Sequence, residues 1–357
     1  MKYLLYFFLI IFPFGQLARW DLGNSIVLHL NDLAVLVVLI FGLRNISGPV
    51  AKALGLFLIT IILSVLFNFT RFTPAQLFVA TLYPLRFFAY AGLYFVFRKQ
   101  KISSRWLIMA AIIIAATGIL QYIFLPDVSF LKALDWDDHY FRLVGTYLDP
   151  GFTGAILVLG LLLAPMPAKI LIYIAFALTY SRASYLMYLV SFATIAFYQK
   201  SLKIFVTAAI ILGLTILVLP KSSGEGTKLE RENSILARIH NWQESLSLWQ
   251  KSPVFGLGFN TYRYVRAASP ESHAGAGADS SILLVLATTG VLGLLAYLNL
   301  LRTMWQLGKA SLLFKASFLG ILVHSFFNNT LFYPWVMEWL WILLALSDFQ
   351  PDQTLQS

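Results

Sequence analysis

The chain of 357 residues is 59% hydrophobic and 12% charged, with a mean hydropathy of +0.77 and a formal net charge of +10. Soluble domains are charged at about a quarter of positions, so an ordinary soluble fold is excluded. There is no cysteine, which excludes disulfides and thiolate metal sites; the five histidines lack metal-ligand spacing, and neither a metal nor another cofactor is expected.

Apolar runs recur along the whole chain, each continuous rather than alternating, which points to an all-α polytopic membrane protein and not a barrel. About twelve spans are expected, near residues 3–18, 23–43, 50–68, 77–97, 106–125, 151–166, 168–180, 183–199, 204–220, 279–300, 316–332 and 335–347. The opening MKYLLYFFLIIFPFGQLARWD lacks a small-residue cleavage site and reads as the first span. The segments 168–180 and 335–347 are shorter than a normal crossing, which points to tilting, partial burial or re-entrance.

The basic residues order the short connectors. Arg44 and Lys52, then Arg98, Lys99, Lys101 and Arg105, then Lys169, Lys200 and Lys203, and finally Arg302, Lys309 and Lys315 all fall on one side. Nearly all acidic residues, Asp127, Asp135, Asp137, Asp138 and Asp149 among them, fall on the other. Basic connectors stay in the cytoplasm, so both termini are expected there and the long segments 126–150 and 221–278 outside. The positive charge thus reads as topology, and no nucleic acid partner is expected. The whole chain, 1–357, reads as one transmembrane domain.

The segment 221–278 interrupts the apolar pattern with its own helix. Ile235, Ile239, Trp242, Leu246 and Trp249 recur at helical spacing, a stripe suited to a helix lying on a bilayer surface. Pro253 and the glycines of SPVFGLGFN end it, with Gly256 and Gly258 shaping a turn.

Arginines on the outer side run against the topology rule and so become functional candidates: Arg142, Arg182 and Arg238 foremost, Arg71 and Arg86 less so. A planar guanidinium grips phosphate oxygens through paired hydrogen bonds, so several converging arginines would make a diphosphate site. The bland reading is snorkelling to headgroups or pairing with outer carboxylates. Within RIHNW, Arg238 and His240 point roughly 160° apart on a helix, so they cannot readily serve one centre, whereas Arg231 lies within about 20° of Arg238.

RLVGTYLDPGFTG, LTYSRASYL, ARIHNWQESLSLWQKSPVFGLGFNTY and ADSSILLVLATTGVLGLL together resemble the O-antigen ligase and polymerase (Wzy-type) superfamily over about residues 140–300. The resemblance implies transfer of a glycan from an undecaprenyl-diphosphate-linked oligosaccharide, at the outer face of the bacterial cytoplasmic membrane, to an acceptor glycan or to lipid A-core. It maps diphosphate-binding arginines onto Arg182 and Arg238, with Arg142 ahead of a span. Where many ligases carry a histidine, this chain has Asp279, a candidate to act as base or to orient the acceptor, and also a good N-cap for the following helix, roles that do not exclude one another; His240 and His273 are the other candidate bases. His29, Asn31, Asp32, His324, Asn328, Asn329 and Glu338 are polar residues within spans that line a cavity or bond between helices, and Glu338 invites an arginine partner. The competing readings are a transporter or flippase of polyprenyl-linked glycan and a non-catalytic scaffold.

Overall fold

A computed structural model describes residues 2–24, 26–100, 102–134, 136–137, 139–220, 225–229, 232–266 and 277–349. The helices are α1 (Lys2–Ile11), α2 (Leu30–Gly42), α3 (Pro49–Leu66), α4 (Pro74–Phe97), α5 (Arg105–Phe124), α6 (Pro150–Leu163), α7 (Met166–Ala177), α8 (Arg182–Tyr198), α9 (Leu202–Val218), α10 (Asn233–Gln250), α11 (Tyr262–Val265), α12 (Ser281–Gly308), α13 (Leu312–His324) and α14 (Pro334–Ser347). A small antiparallel hairpin, β1 (Arg19–Asp21) and β2 (Val27–His29), pairs Trp20 with Leu28.

Each expected span holds one helix. Among the described residues four of them, α3, α4, α5 and α12, are long and apolar enough to cross a membrane by length and composition, and most of the rest are shorter apolar helices. Several boundaries differ from the sequence reading; α12 runs on to Gly308 rather than ending near 300, for example. The first segment is helical only to Ile11 and continues as a 3₁₀ turn, Phe12–Leu17. The second begins at Leu30, because a reciprocal cap ties the His29 backbone N–H to Asp32 Oδ2 at 2.8 Å and leaves 27–29 to the hairpin. The eleventh stops at His324 rather than continuing to 332, since the Asn328 and Asn329 region turns the chain before Pro334 starts α14.

Burial explains the short segment 335–347 but not 168–180, where α7 buries only Ile172 and Ala175–Ala177. Every residue of α14 from Pro334 to Ala345 is buried, as are most of those in α6. A helix apolar all round belongs inside a bundle, so 335–347 is a core helix packed along α4 and not a lipid-facing one. Trp335 and Trp339 are its largest fully buried side chains. Elsewhere α13 packs along α8, and α12 along α3.

Helix α12 is broken at Gly290, whose φ of 67° lies in the left-handed region. The break strands backbone groups that a membrane interior does not tolerate unpaired. The turn after α10 repairs them: Leu257 N–H donates to Ala287 O and Gly258 N–H to Thr288 O, both at 3.0 Å, while Val291 N–H donates to Pro253 O at 2.9 Å. A Cβ on Gly256 would collide with the Thr288 backbone, and one on Gly290 with Val254 O. Asn68 Nδ2 closes the joint on Gly256 O at 2.9 Å. The glycine turn is therefore a backbone plug that fixes α10 and α11 relative to α12.

Candidate functional site

At the end of the bundle reached by α6, α8 and α12 through their N-termini lies a cavity of about 520 Å³, within the size range of small-molecule sites. Four arginines line it, Arg142, Arg182, Arg238 and Arg263, together with Asp137, Asp149 and Asp279. Asn260, Asn328, Asn329 and the aromatic rings of Tyr83, Phe152 and Phe259 complete much of the wall.

Local sequence explains how each group arrives there. Tyr180 takes a left-handed φ of 49°, a conformation a bulky residue rarely adopts and one that marks functional turns. It lets Ser181 cap α8 through Ser184 N–H and sets Arg182 on the first helical residue. A cation there opposes the helix dipole, whereas an anion would be favoured. Arg182 Nη1 donates to Leu229 O at 3.1 Å, and Nη2 donates to Ser234 Oγ, so it also ties α8 to the start of α10. Arg142 is buried, with Nε donating to Thr179 O at 3.0 Å. It reaches the cavity, yet part of its role is to brace the turn that presents Arg182.

Helix α10 has its buried face along Asn241, Ser245 and Leu248. Ile235, Ile239 and Leu246, the apolar stripe read from spacing, are exposed instead, the arrangement expected of a helix with lipid on its outer side. Trp242 leaves that stripe: it packs on Phe327 and its indole N–H donates to Asp279 O at 3.4 Å. The opposed directions of Arg238 and His240 are now resolved. Arg238 lines the cavity, and among the described residues it has no ion-pair or hydrogen-bond partner. His240 is exposed and off the cavity wall, turned away from it by the helix geometry. His273 and Arg231 lie outside the described residues.

Asp279 is not the cap of α12. Ser280 is, accepting from Leu283 N–H. The Asp279 backbone is clamped by Asn241 Oδ1, which accepts from its N–H at 2.8 Å, leaving the carboxylate directed at the cavity. Burial pushes its pKa up; Arg238 pulls it down, while Asp137 and Asp149 push it up further. Asp149 caps α6 by accepting Phe152 N–H at 2.8 Å, and burial likewise raises its pKa, opposed by that bond and by Arg142.

The remaining polar candidates fall in different places. Asn328 and Asn329 line the cavity. His324 does not: fully buried, it bridges Ser184 Oγ at 3.3 Å and Thr330 Oγ1 at 2.6 Å, an interhelical link. His29, Asn31, Asp32 and Glu338 form a separate buried cluster with Arg86, whose Nη2 lies 2.7 Å from Asp32 Oδ2. Glu338 takes Asn31 Nδ2 at 2.5 Å as its hydrogen-bond partner, not an arginine. Arg71 sits in an exposed 3₁₀ turn. The sequence reading missed Arg263, one residue beyond the FGLGFNTY run, and Asp149 as a cavity carboxylate. An arginine in a segment read as outer was the available signal for the first, and the Asp-Pro start of a helix for the second.

Residues 167–298 match the family model described as O-antigen ligase. The match supports the superfamily resemblance and a membrane role in joining glycans. It spans Arg182, Arg238, Arg263 and Asp279, and leaves Arg142 and Asp149 just ahead of it. No curated protein matches the chain.

Proposed function

We propose that the chain transfers glycan from a lipid-linked diphosphate donor to an acceptor hydroxyl, at the outer face of a bacterial cytoplasmic membrane, with both termini in the cytoplasm. The observation that carries the reading is the convergence of Arg182 and Arg238 on a cavity that also holds Asp279, all within the stretch that matches the O-antigen ligase family. The donor is an undecaprenyl-diphosphate-linked oligosaccharide, and the acceptor is a second glycan or lipid A-core.

In the proposed step the acceptor oxygen attacks the anomeric carbon of the donor's reducing-end sugar. The bond from that carbon to the phosphate oxygen breaks, and its electron pair leaves with the lipid diphosphate. The acceptor proton passes to the Asp279 carboxylate. Arg182 and Arg238 meet the charge that grows on the leaving diphosphate, where preorganised donors contribute most. Burial raises the basicity of Asp279, which suits a proton acceptor working near neutral pH. Arg142 holds the turn that carries Arg182 and adds positive potential. The exposed Ile235, Ile239 and Leu246 rest in the outer leaflet and keep α10 over the site.

The test is transfer by purified protein in lipid nanodiscs given an undecaprenyl-diphosphate oligosaccharide, with and without lipid A-core. Longer lipid-linked glycan identifies a polymerase, and core-linked glycan a ligase. No new glycosidic bond with either acceptor sinks the proposal, and movement of intact lipid-linked glycan across vesicles would replace it with transport.

A further inference from the structure

Arg263 stands apart from the other cavity arginines. Arg182 and Arg238 are close enough to feel each other's charge, and Arg238 acts also on Asp279. Among the described residues, Arg263 feels only the neighbouring Tyr264, and its Nε is buried without a hydrogen bond. It is held rigidly all the same. Tyr262, one residue before, is fully buried with its hydroxyl 2.7 Å from Ser245 Oγ. Arg266, three residues after, pairs with Glu244 at 2.6 Å. Both anchors are on α10, so α11 is fixed from either side and Arg263 is committed to the cavity.

Two more lining atoms are buried without a partner among the described residues, Asn328 Nδ2 and Asn329 Oδ1. A half-buried guanidinium with a buried, unbonded Nε and two unsatisfied amide atoms are costly unless something fills them. The carboxamides offer one donor and one acceptor, which suits sugar hydroxyls. The guanidinium calls for an anion. We infer that the cavity holds a second anionic subsite at Arg263, separate from the diphosphate site, which takes a negatively charged sugar, carboxylate or phosphate bearing, of the glycan being joined. Arg263 is then a specificity-determining residue: it selects acidic over neutral glycan.

This inference rests on the glycan-transfer reading, and the experiment separates the two. Binding to the full-length protein in nanodiscs is measured for undecaprenyl diphosphate, hexagalacturonate, a mannose 6-phosphate-terminated oligosaccharide and neutral maltohexaose. Wild-type protein is expected to bind at least one acidic oligosaccharide tenfold or more tightly than maltohexaose, and the tighter of the two identifies carboxylate or phosphate. Arg263→Gln should abolish that preference and leave undecaprenyl diphosphate binding within twofold; Arg238→Gln should do the reverse. Arg263→Lys keeps the charge and should retain part of the preference, which separates a lost subsite from a misfolded variant. Equal affinity for acidic and neutral sugars overturns the subsite. So does equal loss of both ligands in Arg263→Gln, which would join Arg263 to the diphosphate site. Absence of undecaprenyl diphosphate binding, with the sugar preference intact, would sink the transfer reading instead.

Discussion

Two clusters of charged and polar residues in this protein use arginine in opposite ways. In the buried cluster around α2, α4 and α14, Arg86 bonds Val27 O at 2.5 Å and Asp32 at 2.7 Å, and Tyr90 donates to the same carboxylate. In the cavity, Arg238 has no ion-pair or hydrogen-bond partner among the described residues, and Arg263 leaves its Nε unbonded. A charge paired inside the protein is part of its architecture, and removing one partner strands the other. A charge held rigidly and left for a ligand is part of its chemistry. A carboxylate partner distinguishes the two kinds: Arg86 has one in Asp32, and Arg238 and Arg263 have none among the described residues.

Asp279 should give the largest functional effect. Asp279→Asn is expected to slow transfer by about 10²- to 10⁴-fold, the usual contribution of a positioned base. Burial raises its folded-state pKa, so the acid limb of the rate profile should lie above the ordinary carboxylate range. The same shift has a stability consequence. The folded chain holds this proton more tightly than the unfolded chain does. Stability is therefore lost as pH rises from the unfolded pKa through the folded one, and the cost persists at neutral pH. Asp279→Asn should accordingly melt no lower than wild type at pH 7. A variant with lost activity and a clearly lowered melting temperature would make Asp279 structural.

The opposed arginines supply the next contrast. Arg86→Ala should cost on the order of 3 kcal/mol, because Asp32 is left buried without its cation; the readout is thermal melting in detergent. Arg238→Ala should leave melting almost unchanged and reduce transfer by about 10²- to 10³-fold, the loss typical of a donor to a developing anion. If Arg238→Ala melts like Arg86→Ala, the distinction between the clusters collapses.

Why much of this was legible, and some not, follows from what kind of signal each residue carries. Arg182 and Arg238 could be singled out because an arginine in an outer segment violates a topological rule visible in one dimension. The glycine turn was readable as a turn from Pro253, Gly256 and Gly258. Its purpose was not, since nothing local says that Leu257 and Gly258 would supply the N–H groups that α12 needs at its Gly290 break. Residues 334–347 were readable as apolar but not as core, because burial on all sides depends on neighbours remote in sequence. Asp279 illustrates the same limit: Asp-Ser-Ser fits a cap at either of two positions, and only the clamp of Asn241 on its backbone assigns the cap to Ser280 and frees the carboxylate.

His240 offers the smallest expected effect and the sharpest check on direction. It lies two residues from Arg238 on the same helix, and by residue type it is the more conventional base. Helix geometry sends the two side chains to opposite sides, and the structure leaves His240 exposed while Arg238 lines the cavity. His240→Ala should therefore change transfer by less than about twofold, within the range of surface substitutions away from special features. A loss comparable to that of Arg238→Ala would mean that α10 rotates about its axis when substrate binds, bringing its histidine face to the site. That outcome would reverse the roles given to His240 and Asp279.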